Sequence, residues 1–131
     1  MQKFDEVNFK ILIADENIKY RDNLAARLRM LGFTIELATG GFHLLHMLEK
    51  HWDYDLIILH EDMEDMSALE MISLVRTNKT RTELPIVFIS VTGTEDDIRE
   101  MILNGANDYI LKSPNLQPII DRVSKYANLT K

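Results

Sequence analysis

The side chains that could do chemistry in this chain lie at a few separated points. They are the acidic pair Asp15-Glu16, the imidazole of His60 with Glu61, Asp62, Glu64 and Asp65 behind it, the hydroxyl of Ser90 and the ammonium of Lys112. Gathered together, they suit phosphate chemistry. Paired carboxylates hold a hard divalent cation such as magnesium through oxygen, and a lysine and a hydroxyl offer donors to phosphoryl oxygens. The set lacks an acidic nucleophile at its centre, where His60 stands.

Each of these groups follows an apolar run, and the runs are the elements that must position them. Phe9 to Ala14 reads as a buried strand, Thr34 to Ala38 as an alternating strand near a sheet edge, and Leu56 to Leu59 as a strand buried on both faces. Leu84 to Ser90 is a fourth strand with Pro85 confined to its start, and Asn107 to Leu111 is a fifth. Helical stripes fall between them: Leu24, Ala25, Leu28 and Leu31 before Gly32, then Leu44, Leu45 and Leu48. Leu69, Ile72 and Val75 form the stripe of a helix opened by a capping box at Ser67 and Glu70. Thr94 opens a helix bearing Ile98, Met101 and Ile102, stopped by Gly105, and Pro118 sits in the first turn of a last helix. Strict alternation of five strands and five helices predicts an α/β fold, a three-layer sandwich around a parallel sheet with right-handed crossovers. In such sheets ligands sit beyond the carboxyl ends of the strands, which is where the reactive groups collect.

Composition narrows the function. At 131 residues the chain suits one domain, expected as residues 9–128 with an N-terminal extension at 1–8 and a tail at 129–131. The net charge of −6 opposes a nucleic-acid footprint, and no apolar run is long enough for a membrane span or leader, so a cytoplasmic protein is expected. With no cysteine, thiolate metal sites and nucleophiles are excluded. The lack of a glycine-rich phosphate loop argues against a nucleotide or flavin binder.

Several separated motifs carry a resemblance. The runs Ile11-Leu12-Ile13-Ala14-Asp15-Glu16, Asp55-Leu56-Ile57-Ile58-Leu59 and Met66-Ser67-Ala68-Leu69-Glu70 resemble those of a response-regulator receiver domain of two-component signalling. So do Leu84-Pro85-Ile86-Val87-Phe88-Ile89-Ser90 and Gly105-Ala106-Asn107-Asp108-Tyr109-Ile110-Leu111-Lys112, the whole spanning about Phe9 to Asn128. The resemblance implies a flavodoxin-like sheet of strand order 2-1-3-4-5. It also implies phosphate contacts at Ser90 and Lys112, a switch at Ser90 and Tyr109, and a metal site drawn from Asp15, Glu16 and Asp62.

The departures from that family bear on function. His60 stands where the family has the aspartate that a histidine kinase phosphorylates, and imidazole cannot form an acyl phosphate. Glu16 replaces the family's main metal-binding aspartate, and Ser113 follows Lys112 where a cis proline is usual, so the loop either holds a costly cis bond or rearranges. Glu64 and Asp65 replace a proline-glycine turn, and with Glu61 and Asp62 they read either as a solvated, repulsive loop or as an attractor of cations. Lys112 reads also as an ion-pair partner of Asp15 and Glu16.

The expectation is a pseudo-receiver: not an enzyme, needing no cofactor, binding magnesium weakly, and signalling by protein contact. Its partner would be a histidine kinase, a downstream effector or a second copy of the chain. The contact would run through the face of the fourth helix, fifth strand and fifth helix, where Ile98, Arg99, Tyr109 and Arg122 lie. The alternative is a phosphoryl-accepting receiver that uses Asp62 or His60 with a divalent metal and a small donor. No effector segment is recognisable in the chain, so output is expected to pass through another protein.

Overall fold

A computed structural model describes residues 8–51, 53–61 and 63–129, except the side chain of Leu129. Trp52 and Asp62 therefore lie outside the described residues, as do most of the expected N-terminal extension and the last two residues of the tail. In chain order the elements are β1 (Lys10–Ala14), α1 (Ile18–Met30), β2 (Thr34–Ala38), α2 (Gly41–Lys50), β3 (Leu56–His60), α3 (Ala68–Arg76), β4 (Ile86–Ser90), α4 (Glu95–Leu103), β5 (Asp108–Leu111) and α5 (Gln117–Leu129). All pairings are parallel, in the order β2-β1-β3-β4-β5. This is the sheet the resemblance implied.

The alternation of side chains along each strand splits the core into two layers. Ile11 and Ile13 of β1, Ile58 of β3 and Val87 and Ile89 of β4 face α1 and α5, meeting Leu24, Leu28, Ile120 and Val123. Leu12, Ile57, Leu59, Ile86 and Phe88 face the other way onto Leu44, Leu48, Met71, Ile72 and Val75. β3 and β4 are buried throughout, which is why their sequences read as unbroken apolar runs. Among the described residues, α4 and β5 have no fully buried member; Ile98, Met101 and Ile102 of α4 pack half-buried against the second layer.

Caps set the helix ends. The Ser67 hydroxyl accepts the Glu70 amide at 3.1 Å, the capping-box bond expected there. Thr94 does occupy the N-cap of α4, but its hydroxyl is turned to the Asp97 carboxylate at 2.6 Å instead of to a backbone amide. Gly32 and Gly105 follow the last helical turns of α1 and α4 with φ of 99° and 127°, left-handed values that end a helix at little cost only for glycine.

Candidate functional site

Burial itself points to the site. Asp15, His60 and Ser90 are the buried polar residues among those described, at 2%, 3% and 1% exposure, and all three lie at the carboxyl edge of the sheet. The register explains the convergence: Ala14 pairs with Leu59 and His60 with Ile89, so β1, β3 and β4 end level with one another. Burying polar groups costs stability unless they are hydrogen-bonded. Their clustering at one edge, in an otherwise apolar pair of layers, is what a functional centre looks like.

Asp15 and Glu16 are both committed locally. One Asp15 oxygen, Oδ1, accepts the Asn17 amide at 2.8 Å, at the start of α1, while Oδ2 is buried with no hydrogen-bond partner among the described residues. Glu16 reaches across to the β3–α3 loop and accepts the Glu64 amide at 2.9 Å. An open depression of about 540 Å³ lies beside it, lined by Glu16, Glu61, Met63, Glu64 and Ser67.

The donor set can be tested against a magnesium ion, which demands near-octahedral oxygen ligands. His60 offers nitrogen at the central position, one oxygen each of Asp15 and Glu16 is taken by a backbone amide, and no group of three histidine or acidic residues able to hold a metal occurs among the described residues. The second oxygen of each carboxylate is not claimed by those amides, and Asp62, the third acid expected at such a site, lies outside the described residues.

The largest surprise is Glu61, which the sequence offered as one member of an acidic loop, either solvated or attracting a cation. Its Oε1 accepts the Ser90 hydroxyl at 2.9 Å and the Val91 amide at 2.7 Å. The same Ser90 oxygen accepts the Gly93 amide at 2.9 Å, closing the β4–α4 turn, where Gly93 has φ 63°. Asp65 also leaves the pocket. Its two oxygens accept the amides of Gly41 and Phe42 at 2.9 and 3.0 Å, so it caps α2, and these bonds hold its carboxyl below the ordinary range. Only the position of Glu61 just after an apolar strand hinted at such a role, and the sequence carried no comparable signal for Asp65.

Lys112 does not pair with Asp15 or Glu16. Its amide donates to the Ser90 carbonyl at 2.8 Å, and its ammonium lies 4.5 Å from the centre of the Tyr20 ring, a cation–π contact. It lines a groove of about 420 Å³ with Asn17, Lys19, Tyr20, Val91 and Pro114. No cis peptide occurs among the described residues, so the Lys112–Ser113 bond is trans.

Of the residues expected on the interaction face, Arg99 is exposed, Ile98 is half-buried and Tyr109 packs on Phe88 with ring centres 5.9 Å apart. Arg122 is joined to Asp108 by an ion pair, which ties α5 to β5. His43 on α2 accepts the Thr39 amide at 3.0 Å, a capping role, while His46 is exposed.

Comparison with known proteins agrees with this architecture. A family profile described as the response regulator receiver domain matches residues 11–124. The chain is 29% identical over 119 residues to chemotaxis protein CheY-3 of Vibrio cholerae, covering 90% of this chain and 91% of that one. A two-component response regulator from Clostridium difficile superposes with a TM-score of 0.85 at 25% identity, covering 92% of this chain and 97% of that one. A Saccharomyces cerevisiae receiver domain, crystallised with a histidine phosphotransfer signalling protein, superposes with a TM-score of 0.83 at 19% identity, covering 95% and 92% of the two chains.

Proposed function

Because the chain belongs to the response-regulator receiver family of two-component signalling, we propose that it is a variant member that signals by protein contact and carries no phosphoryl group in the usual way. The observation behind this reading is His60, 3% exposed at the end of β3, where the family's acceptor carboxylate would stand. An imidazole supplies no carboxylate oxygen for an acyl phosphate. Support comes also from Glu61, Glu16 and Lys112, each of which is engaged elsewhere: with Ser90, with Glu64 and over Tyr20.

In this reading the protein is not an enzyme and needs no cofactor, and it holds magnesium only weakly. Its output surface is the face of α4, β5 and α5, with Arg99 exposed and Tyr109 at its margin. The occupant is a histidine kinase, a phosphotransfer or effector protein, or a second copy of the chain; the yeast neighbour seen with a phosphotransfer protein lends this support by analogy of fold. The net charge of −6 makes nucleic acid a poor partner. A cytoplasmic setting belongs to the same proposal; no helix among the described residues is long and apolar enough to cross a membrane.

Incubation with acetyl phosphate and magnesium, read by intact mass, tests it. An unchanged mass is expected. The added mass of one phosphoryl group, mapped to Asp62, His60 or any other residue, would replace this reading with that of a receiver using an unusual acceptor.

A further inference from the structure

We propose that Glu61 is a built-in anion: its carboxylate occupies, from within the chain, the seat that the Ser90 hydroxyl and the Val91 amide offer to an oxyanion, and so holds the β4–α4 turn in one fixed arrangement. The two donors come from adjacent residues and converge on a single carboxylate oxygen, at 2.9 and 2.7 Å. A hydroxyl and a backbone N–H aimed at one point make an anion seat, and bonds to a charged acceptor are about twice as strong as neutral ones. Ser90 is 1% exposed, so its hydroxyl has no solvent to turn to.

The consequences run outward from that oxygen. Ser90 also accepts the Gly93 amide, so the carboxylate anchors a short relay running from Glu61 through the hydroxyl to the turn that opens α4. The turn lies against β5, since a Cβ placed on Gly93 would come within 3.0 Å of Leu111 Cδ1. β5 is in turn tied to β4 by the bond from the Lys112 amide to the Ser90 carbonyl. One side chain just after β3 thus holds the end of β4 and, through the Ser90 hydroxyl, the turn that lies against β5. The role of Glu61 rests on the reading that no phosphoryl group is carried at the end of β3, because a phosphoryl group there would compete for the same two donors.

The test uses the full chain and the variants Glu61→Ala and Glu61→Gln, with inorganic phosphate as the probe. In Glu61→Ala, amide hydrogen exchange at Val91 and Gly93 should accelerate about ten-fold or more, while core amides such as Leu59 and Phe88 stay unchanged; in Glu61→Gln, which keeps an acceptor oxygen without the charge, the acceleration should be smaller. Tens of millimolar phosphate should leave the Val91 and Gly93 resonances of the unaltered chain in place and move those of Glu61→Ala in a saturable way. The proposal is overturned if exchange in Glu61→Ala is unaltered, if phosphate fails to move its resonances, or if phosphate moves those of the unaltered chain equally. Intact mass after acetyl phosphate is a separate readout. A phosphoryl adduct on the unaltered chain would defeat the functional reading, whereas these exchange rates defeat or sustain the role of Glu61.

Discussion

Arg76 at the end of α3 donates from Nη2 to the side-chain oxygen of Asn107 at 2.9 Å, and that same oxygen accepts the Ile86 amide at 3.0 Å. The rest of the guanidinium donates to the carbonyls of Gly105 and Leu84, each at 2.8 Å. One side chain therefore fastens the amino ends of β4 and β5 to the helix that follows β3. A planar guanidinium spreads five donors over three nitrogens and so reaches carbonyls on several sides, whereas an ammonium brings three donors to a single atom.

Arg76→Ala should lower unfolding free energy by about 3 kcal/mol, since it orphans several half-buried carbonyls at once. Arg76→Lys should recover less than half of the loss. Urea unfolding would show the drop as a lower midpoint at an unchanged slope; a loss within error of zero would mean that water replaces the fork without cost.

Asp65 carries a pH dependence with a definite sign. The Gly41 and Phe42 amides hold its carboxyl below the ordinary value of 3.8, so the cap stabilises the fold above that value and is lost as pH falls through the folded one. Asp65→Ala should cost about 1 kcal/mol near neutrality, the usual worth of an N-terminal cap, and the gap between it and the unaltered chain should close in acid. A gap that persists unchanged below pH 3.8 would assign the stabilisation to packing instead of charge.

Tyr54 donates its hydroxyl to Glu36 at 2.5 Å, while the Lys10 ammonium stands 3.1 Å from the other carboxylate oxygen. The hydroxyl bond is the chief cause holding the Glu36 carboxyl below its ordinary value of 4.5, with Lys10 adding to it. Tyr54→Phe should return the Glu36 titration toward that value, read by carboxyl carbon shifts, and should cost about 1.5 kcal/mol at neutral pH. As with any depressed carboxyl, the cost should fade as pH drops through the folded value.

His60→Asp restores a carboxylate at the end of β3 but leaves Glu61 on the Ser90 and Val91 donors. The single variant should therefore respond weakly to magnesium and beryllofluoride, and His60→Asp with Glu61→Ala should respond strongly, read as amide shifts at Ser90, Val91 and Tyr109. A full response from the single variant would mean that Glu61 yields its place to the fluoride complex.

Much of the fold was legible because β3 and β4 are buried on both faces and so leave unbroken apolar runs, and because Gly32, Gly105 and Ser67 mark helix ends. The reactive groups were legible by position, each just beyond a strand. Where three charged side chains go was not. Glu61 and Lys112 each rotate about several bonds, Asp65 is carried by the course of its loop, and periodicity constrains backbones and faces of elements but neither of these. Their partners, Ser90, Gly41 and Tyr20, lie on other elements and appear only once the strands are brought level.

The unmatched oxygen of Asp15 has an evolutionary corollary. Among the described residues nothing donates to Asp15 Oδ2, an omission worth about 1–3 kcal/mol, which Oδ1 offsets in part by holding the Asn17 amide. A lineage selected for heat tolerance alone would be expected to discard that carboxylate early. Its survival in a population would therefore report a demand on the molecule other than staying folded.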